Sequence, residues 1–197
     1  MDKAEAGDVA IGEMTTKTGD AGLARLREVI AARSLLTGGA FTLASGRQSS
    51  VFFDMKRTML DPEGANLIAD AALRRLDGLK VDAIGGLEMG AVPIVAVICA
   101  RSYRERPLPG FFVRKQAKDH GTARQIDGNL APGARVAILE DVTTTGGSAL
   151  SAVEAVRAAG AEVVCVLTVV DRLEGAAAAF AAAGLRFEAL LTSRDFL

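Results

Sequence analysis

From Val81 to the end of the chain, short β-branched runs alternate with alanine-rich segments of helical spacing, and this alternation restricts the fold more than any other feature. Strands are predicted over 81–85, 111–114, 135–140, 163–170 and 187–191, with helices over 91–101, 147–158 and 174–183. Runs that are apolar on both faces belong to a parallel sheet covered on either side. The expected fold class is therefore α/β, a mostly parallel central sheet with helices on both faces. Ligands of such sheets sit beyond the carboxyl ends of the strands, so the residues that follow each strand hold the functional information.

The front of the chain reads differently. Leu23, Leu26 and Ile30 recur at helical spacing and predict a helix over 21–36, stopped by Gly38-Gly39. Phe41-Thr42-Leu43 and Val51 to Met55, joined through Ser45-Gly46-Arg47, read as a β-hairpin. Asp61-Pro62-Glu63 starts a helix with an N-cap, a proline at the first helical position and an early acid, and Ile68, Ala72 and Leu76 form its apolar stripe. One domain is expected over 21–197, with a small N-terminal hood at about 21–60 and the core at about 61–197. Residues 1–20 have too few apolar side chains to pack and are expected to be disordered.

Composition removes several classes of function. A net charge of -1 and a pI of about 5.9 leave no basic excess for nucleic acid or a membrane surface, so any anion site must be built locally. Cys99 and Cys165 lie in apolar runs, as buried thiols do, rather than as a disulfide or metal pair. One histidine and no CxxC leave zinc without ligands. No run reaches the length of a membrane span, and residues 1–20 do not follow a basic-then-apolar leader pattern. The expected location is the cytoplasm.

The run Arg135-Val-Ala-Ile-Leu139 ends directly in Glu140-Asp141, two acids where a buried strand would rather meet a neutral turn. Ionised carboxylates accept hydrogen bonds or bind cations, so the pair suits ligand hydroxyls, a cationic centre or a metal ion. Thr143-Thr-Thr-Gly-Gly-Ser148 then supplies four hydroxyls and two glycines at the start of a helix, a cradle for phosphate. Diol-binding acids followed at once by a phosphate cradle match a ribose 5-phosphate. An ordinary capped helix is the plain alternative for the loop alone.

Val136-Ala-Ile-Leu-Glu-Asp-Val-Thr-Thr-Thr-Gly-Gly-Ser148 resembles the phosphoribosyl pyrophosphate motif of the type I phosphoribosyltransferases. The resemblance implies that Glu140 and Asp141 hold the ribose hydroxyls and that Val142, Thr143, Thr144, Thr145, Gly146, Gly147 and Ser148 surround the 5-phosphate. The polar stretch 114–128 is too long for a routine connection and carries Arg114, Lys115, Lys118, Arg124 and the single histidine, His120. Its Arg-Lys-x-x-Lys-x-His-Gly pattern resembles the catalytic loop of the orotate branch of that family. This implies a homodimer in which the loop serves the neighbouring site, with Lys118, Asp141 and Arg114 catalytic and with Lys115 and His120 contacting pyrophosphate.

Phe52-Phe53 resembles the hairpin position where backbone groups meet the pyrimidine. Arg172 matches the arginine that meets the orotate carboxylate, with Thr144 as a further base contact. The implied reaction transfers phosphoribosyl from phosphoribosyl pyrophosphate to orotate. It uses Mg2+ held mainly by substrate oxygens, with no dedicated protein metal site. Two lysines common in the family are absent, at Ala44 and Gly90, and Lys56 and Arg57 are the candidate substitutes. Gly86 to Pro93 still follows a strand and opens a helix, so its amides are expected to face pyrophosphate. A transferase for another base, or a non-catalytic nucleotide-sensing regulator on the same fold, are the alternative readings.

Overall fold

Period-two alternation along the central strands divides the apolar residues between two cores, and this division defines the layers. The structure is a computed structural model and describes residues 8–42, 48–116 and 125–197. Its elements begin with helix α1 (Asp8–Arg33), the hairpin β1 (Leu35–Thr42) and β2 (Gln48–Phe53), a short helix α2 (Lys56–Met59) and α3 (Pro62–Leu76). There follow β3 (Ala83–Gly85), α4 (Ala91–Ser102), β4 (Phe111–Val113), β5 (Ile126–Gly128), β6 (Arg135–Thr143), α5 (Gly147–Ala158), β7 (Glu162–Asp171), α6 (Ala176–Ala182) and β8 (Arg186–Thr192). A 3-10 turn, Ser193–Phe196, follows.

Strands β3, β6, β7 and β8 form a parallel sheet in the order β3-β6-β7-β8. Along β6, Ala137 and Leu139 face one core with Ile68, Ala72 and Ile98 from α3 and α4, while Val136 and Ile138 face the other with Ala152, Val153 and Phe180 from α5 and α6. Helices thus cover both faces, as the apolar runs require. Strand β4 lies along β3 through bridges at Ile84–Gly110 and Leu87–Val113, and pairs with β5 on its other side.

The arrangement of α4 and α5 creates the site. Helix α4 follows β3 onto the first core and α5 follows β6 onto the second. Because β3 and β6 are neighbours whose chains depart to opposite faces, a crevice opens between them at the carboxyl edge.

Four details depart from the sequence expectations. Helix α1 ends at Arg33, and β1 starts at Leu35, opposite Phe53, so Gly38-Gly39 lies inside a strand instead of stopping a helix. Gly38 has φ +79° beside a register shift between Thr37 and Phe41, so its freedom serves a bulge. Helix α1 also begins at Asp8 rather than near Ala21. The far end of the polar stretch is not loop: Ile126–Gly128 pairs antiparallel with β4, a pairing invisible in a segment with one β-branched residue. Helix α6 starts at Ala176, because Gly175 at φ +109° breaks the backbone before it.

Elsewhere the local signals hold. Asp61 caps α3, accepting from the amides of Glu63 at 3.1 Å and Gly64 at 3.0 Å. Cys165 is buried, and burial pushes its thiol up to about 11, whereas Cys99 is only half-buried. No helix among the described residues is long and apolar enough to cross a membrane.

Phe180 anchors the second core: it is fully buried, its ring centroid lies 4.8 Å from that of Phe187, and it also supports the turn before α5. Phe180→Ala is expected to cost about 3–5 kcal/mol in chemical denaturation. A loss under roughly 1 kcal/mol would mean that the ring does not hold this layer together.

Candidate functional site

A cavity of about 540 Å³ occupies the crevice at the carboxyl ends of β3 and β6. Its floor is Glu140 to Ser148, one wall is Leu87 to Gly90, and Phe52, Phe53, Lys56, Lys115 and Arg172 close the remaining sides.

The floor begins where β6 runs out of apolar residues but remains paired with β7. Glu140 is 7% exposed, and burial, reinforced by the neighbouring Asp141 carboxylate, pushes its pKa from the ordinary 4.5 up to about 8. Burial also raises Asp141, although the amides of Val142 and of Asp141 itself, together with Glu140, pull it back. Burial thus favours the protonated carboxyl at Glu140 around neutral pH unless a ligand's positive charge offsets it. Thr143 adds a second unsatisfied group: its hydroxyl is buried and has no hydrogen-bond partner.

Beyond the acids, Gly146 adopts φ +88°, and a Cβ there would lie 2.9 Å from the Phe180 ring. This turn starts α5 without a side-chain cap, leaving the first amides of the helix to a ligand. Uncapped amides, the aligned helix dipole and the hydroxyls of Thr143, Thr144, Thr145 and Ser148 make an anion cradle.

The opposite wall is packed closely enough to need glycine. A Cβ at Gly86 would fall 2.2 Å from the Leu139 carbonyl, and one at Gly90 would fall 2.5 Å from Asp141 Oδ1. The lysine absent at Gly90 is thus accompanied by a direct approach of the wall to the acid on the floor. Of the two candidate substitutes, Lys56 lines the cavity, 3.0 Å from Asp54 Oδ1, while Arg57 does not line it.

The structure brings together most of the predicted site residues. Phe52, Phe53, Lys115, the whole run Glu140–Ser148 and Arg172 all line the crevice. Phe52 stacks on Phe41 at 5.6 Å, and Phe53 meets Phe196 edge-on at 5.2 Å. Arg114 does not line the cavity: its Nε lies 2.7 Å from Asp127 Oδ2 and its Nη1 3.7 Å from Glu88 Oε2. Lys118 and His120, with Arg124 and Ala44, lie outside the described residues.

Glu88 and Met89 were not expected as lining side chains. Glu88 accepts from the Lys115 amide at 3.2 Å, tying the wall to the start of the polar stretch. The sequence signal for them was only that the turn Gly86 to Pro93 follows a strand. Among the described residues, no three His, Cys, Asp or Glu side chains cluster to hold a metal ion.

Fold and crevice together define a class: a parallel α/β domain with an acid pair and a hydroxyl-rich, uncapped helix start where two neighbouring strands send their helices apart. Residues 57–179 match the family described as phosphoribosyl transferase domain. The chain is 53% identical over 180 residues to the orotate phosphoribosyltransferase of Rhodopseudomonas palustris (strain TIE-1), covering 88% of this chain and 95% of that protein. Two solved structures of the Mycobacterium tuberculosis H37Rv orotate phosphoribosyltransferase are also similar. The complex with Fe(III) dicitrate gives a TM-score of 0.79 at 40% identity, and the complex with phosphoribosyl pyrophosphate gives 0.75 at 36%. Each comparison covers 89% of this chain and 98% of the other. The chain belongs to the orotate phosphoribosyltransferase family.

The buried acid makes stability depend on pH. The unfolded chain gives up the Glu140 proton above pH 4.5, while the folded chain keeps it to about 8, so folding binds a proton in that window and stability falls as pH rises through it. The melting temperature of the ligand-free protein should therefore drop from pH 5 to pH 8, and Glu140→Gln should flatten that slope. An equally steep slope in the variant would assign it to other groups.

Proposed function

We propose that this chain transfers the 5-phosphoribosyl group of phosphoribosyl pyrophosphate to N1 of orotate, releasing pyrophosphate and giving orotidine 5-monophosphate for pyrimidine synthesis. One observation carries the reading: a buried acid pair runs directly into an uncapped, hydroxyl-rich helix start, in a cavity that also holds Phe52, Phe53 and Arg172.

The 5-phosphate sits on the amides and hydroxyls of Thr143 to Ser148, where Thr143 Oγ1 gains the partner it lacks. Glu140 and Asp141 accept from the ribose hydroxyls and face the positive charge that develops at C1 as the bond to pyrophosphate breaks. Orotate loses its N1 proton before attack, so the new C1–N1 bond asks the protein for little proton transfer. Phe52 and Phe53 present hairpin backbone to the ring, Thr144 contacts the base, and Arg172 takes the carboxylate. Lys115 and His120 contact pyrophosphate, while Lys118 and Arg114, supplied by the partner of a homodimer, stabilise the leaving charge. Catalysis is then orientation, electrostatics and exclusion of water.

The donor set fits a magnesium ion held mainly by the substrate: the acid pair offers oxygen ligands, and a cation beside them would offset the burial that raises both carboxyls. Mg2+ when bound supplies charge neutralisation for the pyrophosphate oxygens. The same reading takes residues 21–197 as one domain of hood and core acting in the cytoplasm on small molecules, with no nucleic-acid or membrane partner.

Mixing the protein with Mg2+, phosphoribosyl pyrophosphate and orotate should deplete orotate absorbance. Turnover with uracil, hypoxanthine or adenine in place of orotate would reject the assignment of the base, and ligand binding without any turnover would mark a regulator. Lys118→Ala is expected to lower kcat on the order of a hundredfold while shifting substrate KM far less. An unchanged kcat would remove the loop from the chemistry.

A further inference from the structure

Arg172 leaves β7 at the edge of the crevice with its guanidinium already engaged. Its side chain is 8% exposed, and its Nε lies 2.9 Å from Oε1 of Glu174, itself 10% exposed. The two terminal nitrogens point to the hairpin: Nη1 donates to the Val51 carbonyl at 3.2 Å and Nη2 to Ser49 Oγ at 2.9 Å. Between the charged partners stands Leu173, at φ +59°, its amide donating to Asp171 Oδ1 at 2.8 Å. Left-handed backbone is unfavourable for leucine and is kept where surrounding structure enforces it. Here the turn folds Glu174 back onto Arg172.

A buried ion pair is weak evidence of stabilisation, because desolvation offsets much of the attraction. Such a pair beside a ligand cavity is better understood as fixing the orientation of one partner. We propose that Glu174 is a positioning residue for Arg172. It holds Nε so that both terminal nitrogens stay at the crevice wall beside β2, where a carboxylate on the incoming base replaces the neutral acceptors Ser49 and Val51. The proposal rests on the functional reading above. Charge-assisted, two-pronged hydrogen bonds are stronger than bonds to a hydroxyl or carbonyl, so the exchange favours the carboxylate. A base without that group offers nothing in return and leaves Arg172 tied to the hairpin. Glu174 would thus set selectivity among bases without touching the substrate.

The test compares KM for orotate with KM for phosphoribosyl pyrophosphate in steady-state assays of the parent, Glu174→Ala and Glu174→Gln. Glu174→Ala is expected to raise KM for orotate about tenfold or more while leaving KM for phosphoribosyl pyrophosphate within about twofold. Glu174→Gln keeps an oxygen for Nε and should recover most of the loss. An unchanged KM for orotate, equal rises in both constants, or a Gln variant as poor as the Ala variant would overturn the proposal. If Glu174→Ala does not fold, Glu174→Asp replaces it, because its shorter carboxylate draws Nε away from the wall and should raise KM for orotate alone. A parent that turns over another base but not orotate would instead overturn the functional reading, and this proposal with it.

Discussion

Strand β6 is buried on both faces as far as Glu140, and its pairing with β7 continues beyond the apolar residues to Thr143. Two carboxylates are thereby held at a sheet edge that excludes much of the water they would otherwise recruit. Their raised pKa values, the close approach of Gly90 and the abrupt start of α5 all depend on that fixed strand. Neither core alone would suffice: Ala137 and Leu139 pin one side, Val136 and Ile138 the other, and the crevice exists because the following helices separate there.

The parts of this arrangement that were legible in the sequence are those set by nearest neighbours. The acid pair follows an apolar strand directly, Gly146-Gly147 opens an alanine-rich helix, and Asp61-Pro62 caps α3, so each could be located from spacing alone. Tertiary pairing decided the rest. Gly38-Gly39 looks like a helix stop until Leu35 is seen opposite Phe53, and Ile126 looks like loop until it pairs with Val113. The sequence assigns Arg114 to a neighbouring site and Arg172 to the orotate carboxylate, and shows no intramolecular partner for either. Folding gives Arg114 the carboxylates of Asp127 and Glu88, and gives Arg172 that of Glu174 and two acceptors on β2, partners as much as 123 residues away in sequence. No local pattern carries that information.

The hairpin joins the sheet both through the first core, where Phe53 is buried and Val51 packs, and through Arg172. Phe53 reaches Phe196 through ring contact, whereas Ser49 and Val51 meet Arg172 through hydrogen bonds. Apolar contacts of this kind tolerate small shifts, while hydrogen bonds to a guanidinium fix direction. The wall that carries Phe52 and Phe53 is therefore held by packing of Phe53 into the first core and oriented by the hydrogen bonds to Arg172.

The described lining of the crevice sets Glu88 and Asp141 against Lys56 and Lys115, while Glu140 favours its protonated form and Arg172 is paired with Glu174. Charge of both signs at such close quarters largely cancels a few ångströms out, so these residues project little field into solution to draw in a polyanion from afar. On the proposed reading, capture instead falls to contacts that act only at touching distance, the amides of the α5 start and the hydroxyls beside them. For this lining, encounter is governed by diffusion and fit, and ionic strength has correspondingly little hold over its rate.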